Sequence, residues 1–211
     1  MSQSPFPIDI VYALDLLGTV AFAASGALAG VRKRMDLLGV IVLGLVTATG
    51  GGVVRDVLMS DTPPFCFKNE IYLYLAVAAS VLVFLSPRRF ERQHRAMLML
   101  DALGLGTFAV IGTSKALAFN LGFMGAVIMG VMTATFGGLI RDVLSNEIPL
   151  ILQREIYASA CAAGGAALYL MDRLDVSHPI KLTVAAALVI GIRFAAILKG
   201  WQLPRREELE P

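Results

Sequence analysis

The sequence predicts an all-α membrane protein of seven transmembrane helices, six of them an inverted 3+3 repeat and the seventh standing outside it. Three observations predict this fold: an apolar composition, uncharged runs of bilayer length, and self-similarity at one fixed offset. Of 211 residues, 57% are apolar and 16% charged, with a mean hydropathy of +0.73. Soluble domains carry roughly 45–50% apolar and about 25% charged residues, so the excess has to face lipid. A formal net charge of +2 and two cysteines exclude a nucleic-acid binder and a disulfide scaffold. Cys66 and Cys161 read as unpaired thiols.

A bilayer core of about 30 Å takes roughly 20 helical residues, with about 17 to 25 tolerated. The runs that fit are Ile8–Val31, Leu37–Leu58, Glu70–Ser86, Ala96–Phe119, Leu121–Leu144, Glu155–Met171 and Ile180–Leu198. The first is charge-free from Leu16 to Val31 and has no Lys or Arg before Arg32, so it lacks the basic start of a cleavable signal and is expected to be retained. The second and fifth each end on an Arg-Asp pair. The third and sixth hold only 16 uncharged residues, Ile71–Ser86 and Ile156–Met171, about 24 Å of helix, and need snorkelling flanks or a locally thinner bilayer to span. The fourth contains Lys115. The chain is thus one transmembrane domain over 1–211, with repeats at 8–86 and 96–171, a seventh helix at 180–198 and a tail at 199–211.

Basic residues orient the spans, because short loops rich in Lys and Arg stay on the cytoplasmic side. One face carries Arg32, Lys33, Arg34, Arg88, Arg89, Arg92, Arg95, Arg154, Lys199, Arg205 and Arg206; the other carries Lys68, Arg173 and Lys181. This bias puts the N-terminus outside and the tail in the cytoplasm. The cluster at Arg88, Arg89, Arg92 and Arg95 serves as a topology determinant or as a binder of anionic lipid head groups.

The repeat is the most informative feature. TATGGGVVRDVL at Thr47–Leu58 returns as TATFGGLIRDVL at Thr133–Leu144, 86 residues on, with nine of twelve positions identical. The same offset pairs Asp15 with Asp101, Gly18 with Gly104, Phe22 with Phe108, Gly26 with Gly112, Gly39 with Gly125 and Gly44 with Gly130; one deletion later Glu70, Ile71 and Tyr72 match Glu155, Ile156 and Tyr157. Three spans per unit force the second copy to enter the membrane upside down, and such repeats commonly build a pathway at their interface from interrupted helices.

The glycines Gly50, Gly51 and Gly52, and Gly137 and Gly138, sit inside the second and fifth spans as candidate kinks. A kink frees carbonyl oxygens, which persist in a membrane only where they line a wet cavity or are buried in protein. Carbonyls, with the hydroxyls of Thr47, Thr49, Thr133 and Thr135, are the hard ligands a dehydrating alkali cation requires. The alternative is that small residues let helices pack closely while the threonines bond to their own helix.

The pairs Arg55-Asp56 and Arg141-Asp142 are expected to find partners on other helices, since neighbours on a helix point about 100° apart. They flank the glycines as matched charge clusters, either concentrating cations at a pore or clamping helices together. Lys115 breaks the symmetry, its counterpart being Ala29; it either snorkels to the outer interface or moves in the membrane field to bias opening. Asp15 and Asp101 are expected to tie down the starts of the first and fourth spans. No phosphate loop, Rossmann glycine pattern or metal-ligand spacing accompanies these motifs, and His94 and His178 are isolated; no enzyme activity, cofactor or resident metal is expected.

With TATGGGVVRDVL, TATFGGLIRDVL and the 3+3+1 plan, residues 8 to 199 resemble the prokaryotic members of the trimeric intracellular cation channel family. The resemblance implies a homotrimer in an inner membrane, each subunit with its own hourglass pore lined by the kinked second and fifth helices and passing K⁺ and, less selectively, Na⁺. It places Gly50, Gly51, Gly52, Arg55 and Asp56 at one kink and Gly137, Gly138, Arg141 and Asp142 at the other, and it matches Lys115 to a basic position tied to gating in animal relatives. Phe136 replaces the first glycine of the second copy, so the two kinks need not be equal. Ala48 and Thr49 stand where animal members have the Lys-Glu of a phosphoinositide site. A secondary transporter of a small amino acid such as glycine is the alternative, because inverted repeats with broken helices serve carriers equally well; a membrane scaffold is a third.

Overall fold

The structure, a computed structural model, describes residues 10–85, 94–153 and 155–201. The described residues form helices α1 (Ile10–Arg32), α2 (Leu37–Leu58), α3 (Phe65–Lys68), α4 (Ile71–Leu85), α5 (His94–Ala118), α6 (Phe123–Leu144), α7 (Leu150–Gln153), α8 (Glu155–Arg173) and α9 (His178–Lys199). Five of them, α1, α2, α5, α6 and α9, are long and apolar enough to cross a membrane. The apolar α4 has 15 residues, about 22 Å, and α8 carries charge at both ends. The four-residue helices α3 and α7 were not expected from the sequence. Ile8, Ser86, Arg88, Arg89, Arg92, Arg154, Arg205 and Arg206 lie outside the described residues.

Local chemistry sets the helix ends. The Asp36 carboxylate accepts a hydrogen bond from the Gly39 backbone N–H at 2.8 Å, capping α2 on an orphan donor of its first turn. Gly122, extended at ψ 176°, takes the same place before α6 without a side-chain cap, so that helix starts at Phe123 rather than Leu121. Pro179 lies in the first turn of α9, and Gly200 at φ 65° ends it in the left-handed conformation that glycine adopts at least cost. The turns repeat as well: Arg34 and Asn120, at φ 56° and 58°, and Ser60 and Asn146, at φ 56° and 53°, are pairs at the repeat offset.

Packing follows the repeat. α1 packs on α2 and α4 as α5 packs on α6 and α8, while α1–α5 and α2–α6 contacts join the two units; α9 rests mainly on α5 and α8. Phe22 and Phe108, equivalent in the two copies, meet at the centre with ring centroids 5.2 Å apart, both buried. Gly104 lies directly against the Phe22 ring, where a Cβ would overlap it. Outside this core, Leu17, Leu38, Leu82, Leu170 and Val184 are exposed, apolar side chains suited to acyl chains.

Candidate functional site

α2 and α6 cross at their glycines. A Cβ on Gly51 would overlap the Thr133 carbonyl oxygen and one on Gly137 would overlap the Thr47 carbonyl oxygen, while Gly50 faces Ile140 and the Gly137 Cα. Moving forward along α2, from Thr47 to Gly51, moves backward along α6, from Gly137 to Thr133, so the two helices run antiparallel through the contact. Only glycine permits this approach, in which Cα–H groups lie against carbonyl oxygens.

Both helices run unbroken for 22 residues. The expected kinks are therefore not breaks in the helical ladder, because glycine is used here for interhelical proximity. The helical interruption falls elsewhere, at Ile156 in α8 (φ −80°, ψ 30°). Gly52 and Gly138 serve further contacts: a Cβ on Gly52 would overlap the Phe65 ring, and one on Gly138 would lie 2.9 Å from the Tyr157 hydroxyl.

The threonine hydroxyls are spent on their own helices. Thr47, Thr49, Thr133 and Thr135 donate to the carbonyls of Leu43, Leu45, Met129 and Val131 at 2.6–2.8 Å. The Thr47 and Thr133 hydroxyls sit against Gly26 and Gly112, facing α1 and α5 rather than the crossing. All four residues are buried, so the crossing is closely packed.

Each Arg-Asp pair closes on itself, contrary to the expectation from helical angles. Arg55 Nε donates to Asp56 Oδ1 and Arg141 Nε to Asp142 Oδ1, both at 2.8 Å. Arginine's length lets its guanidinium fold back over the neighbouring carboxylate, a reach that the 100° rule for Cβ directions does not capture. The second oxygen of each aspartate accepts from the first N–H of a short helix: Asp56 Oδ2 from Phe65 of α3 at 2.8 Å and Asp142 Oδ2 from Leu150 of α7 at 2.9 Å. These aspartates thus hold the chain that follows each glycine helix.

Partners on other helices are present too. Arg141 Nη1 donates to Asp101 Oδ1 at 2.5 Å and to Ser25 Oγ at 2.7 Å, with Arg141 and Asp101 both fully enclosed. Asp101 therefore ties α5 to α6. Asp15, its counterpart, accepts from the Tyr72 hydroxyl at 2.7 Å and ties α1 to α4.

Lys115 is the main asymmetry. Its Nζ donates to Asp56 Oδ1 at 2.7 Å and to Asp61 Oδ2 at 2.5 Å; it does not snorkel freely but bridges α5 to the end of α2 and the loop beyond. Lys68 pairs with the other Asp61 oxygen. The Lys115 ammonium, with Lys68 beside it, holds the Asp61 carboxyl down at about 2. At the repeat offset Asp56 corresponds to Asp142, Asp61 to Glu147 and Lys115 to Ala29. There the space beside the carboxylate is a cavity of about 120 Å³ lined by Ala29, Arg32, Lys33, Asp142, Ser145 and Glu147, and Glu147 pairs instead with Lys33 at 2.5 Å.

No sequence motif singles out Ser25, Asp61, Glu147 or Arg193, and Tyr72 and Tyr157 stand out only as repeat counterparts. Asp61 and Glu147 recur at the repeat offset and were findable by that signal; Arg193, buried in α9, has no counterpart in either copy. Cys66 and Cys161 are buried free thiols, and burial pushes the Cys66 thiol up. No metal-ligating cluster is found among the described residues.

Known proteins resemble the chain over nearly its whole length. The family model described as "Glycine transporter" matches twice, over residues 12–88 and 98–173, once for each copy of the repeat. A "UPF0126 membrane protein" of Deinococcus radiodurans is 46% identical over 198 residues, covering 92% of this chain and 90% of the relative. The "UPF0126 inner membrane protein YadS" of Escherichia coli K12 is 43% identical, covering 92% and 95%. Among solved structures, one described under conductance through TRIC cation channels superposes with a TM-score of 0.87 at 40% identity, covering 94% of this chain and 98% of that one. The TRIC trimeric intracellular cation channel orthologue from Rhodobacter sphaeroides gives a TM-score of 0.87 at 38% identity, covering 91% and 99%.

Proposed function

The chain belongs to the prokaryotic trimeric intracellular cation channel family, and we propose that it is a K⁺-permeable channel for monovalent cations in the bacterial inner membrane. In this reading it works as a homotrimer with one pore per subunit. All seven longer helices span, the two repeats insert in opposite senses, and the N-terminus lies outside with the C-terminus in the cytoplasm. The observation that carries the reading is the antiparallel α2–α6 crossing with a buried Arg-Asp cluster on each side. The solved cation channels that share the fold at 35–40% identity support it.

A mechanism follows from this reading. Asp56 and Asp61 gather cations at the outer mouth and Asp142 and Glu147 at the inner one. The glycine contacts at the crossing are Cα–H···O interactions, each worth only about 0.5–1 kcal/mol, so α2 and α6 separate at modest cost. Separation exposes the Thr47 and Thr133 carbonyl oxygens, hard ligands suited to a partly dehydrated alkali ion. Lys115 bridges Asp56 and Asp61 in the closed form; its withdrawal removes one cation from this mouth and frees the Asp61 Oδ2, while Asp56 keeps its Arg55 and Phe65 hydrogen bonds. A full charge crossing the membrane field gains about 2.3 kcal/mol per 100 mV, so even partial movement of its ammonium biases opening.

Recording from the purified protein in planar bilayers tests the proposal: discrete unitary K⁺ currents are expected. The description of the matching family model favours a second reading, a carrier for glycine. Saturable glycine uptake into proteoliposomes, with no unitary currents, would establish the carrier in place of the channel.

A further inference from the structure

Arg193 of α9 is 3% exposed, and its charge has no carboxylate within ion-pair distance among the described residues. Its Nη1 donates to the Ile156 carbonyl at 3.0 Å, the oxygen released where α8 departs from helical geometry. Its guanidinium carbon lies 4.8 Å from the centroid of the Tyr157 ring. Its Nε is buried without a hydrogen-bond partner. An enclosed cation satisfied by one carbonyl and one ring face carries a large desolvation penalty, and the other enclosed arginines, Arg55 and Arg141, each have a carboxylate.

Arg193 lines a cavity of about 170 Å³ between α5, α8 and α9, together with Arg95, Leu98, Ile156, Ala196 and Trp201. No acidic side chain borders it among the described residues. Arg95 and Leu98 stand in the first turns of α5, where the helix dipole favours negative charge. Trp201 stands at the mouth, with the Lys199 Nζ 5.1 Å from its ring centroid. An unmatched arginine, a second at the rim and a helix N-terminus converge on one space whose remaining wall is apolar.

We infer that this cavity binds a phosphate group, gripped by the guanidinium of Arg193, whose charge no carboxylate among the described residues meets, and by Arg95 at the rim. Phosphate suits the planar fork of N–H donors better than a spherical anion does. The apolar wall of Leu98, Ile156 and Ala196 extends the fit to a phospholipid headgroup, and free phosphate shares the same chemistry. The site stands apart from the α2–α6 crossing and does not depend on the conduction reading.

Thermal unfolding of the full chain in detergent, at constant ionic strength, tests the inference with two probes: inorganic phosphate and dioctanoyl phosphatidylglycerol. The wild type should show a saturable rise in Tm with at least one probe. A response to both identifies a general phosphate site, and a response to the lipid alone identifies the headgroup as its source. Arg95→Gln, at an exposed position, should fold normally and weaken the half-saturating concentration about tenfold. Arg193→Met should abolish the response while unfolding no lower than the wild type without ligand, since it replaces an unmatched buried charge by an apolar side chain. Absence of any response in the wild type, or equal responses in all three proteins, would overturn the inference.

Discussion

The carbonyl oxygen of Thr133 occupies the space that a side chain on Gly51 would need, and the same holds between Thr47 and Gly137. A methyl group on Gly51 thus meets backbone rather than a movable side chain, and the helices have to separate to accept it. Gly51→Ala should lower stability by about 1–3 kcal/mol or more through overpacking, measured by chemical denaturation in detergent. Gly191 of α9 has open space around it, so Gly191→Ala should be neutral or gain up to about 1 kcal/mol from helix propensity. Equal effects of the two substitutions would contradict a tight crossing.

Asp101 and Asp15 are repeat counterparts with different duties. Asp101 shares the enclosed Arg141 charge with Asp142; removing the sole partner of a buried charge costs about 3–5 kcal/mol, so Asp101→Asn should cost up to that range and more than its counterpart. Asp15 receives a neutral hydroxyl, and an asparagine keeps an oxygen for it, so Asp15→Asn should cost roughly 1 kcal/mol. Equilibrium unfolding of Asp101→Asn beside Asp15→Asn checks the ranking; the reverse order would show that the Arg141 cluster is not what holds α5 to α6.

Lys115 and Ala29 allow a reciprocal exchange. Lys115→Gln removes the ammonium from Asp56 and Asp61 and should flatten the voltage dependence of opening. Ala29→Lys places an ammonium into the cavity beside Asp142 and Glu147, building a second lock and lowering open probability. Open-probability curves for both variants test this, and curves identical to the wild type would remove Lys115 from gating.

Asp61 predicts the pH range of the outer lock. Its folded-state value is about 2 against an ordinary 3.8, held down first by the Lys115 hydrogen bond and then by Lys68. A depressed carboxylate contributes fully above its unfolded value and loses that contribution as pH falls through its folded one. The Lys115–Asp61 contact should therefore be unaffected by acidification from pH 7 to pH 5, giving equal open probability in that range when the outer solution alone is titrated. A transition near pH 6 would assign control to another group.

Much of this architecture was legible in the sequence, because a membrane spells its helices in length and apolarity. α2 begins and ends where its apolar run and Arg-Asp terminus place it, and the repeat offset pairs Phe22 with Phe108, whose rings meet in the fold. Periodicity gives no signal for a four-residue helix, so α3 and α7 were missed, although Pro64 and Pro149 precede them. The glycines leave two roles open for a physical reason: the same residue permits a broken helix and a close crossing, and only the neighbour's position decides. The fold-back of Arg55 onto Asp56 is disfavoured by Cβ directions alone, which point to partners on other helices and ignore side-chain reach. Arg193 was invisible because its partners, a carbonyl and a ring, leave no pattern along the chain.

The central claim is that cations pass the α2–α6 crossing between the carboxylates that flank it. Unitary K⁺ conductance of the Asp56→Asn/Asp142→Asn double variant, measured at about 0.01 M and again at about 1 M salt, tests it most directly, since the screening length falls from about 30 Å to about 3 Å between them. The account predicts a several-fold smaller conductance than wild type at low salt, converging on the wild-type value at high salt. Equal conductances at both concentrations would contradict it.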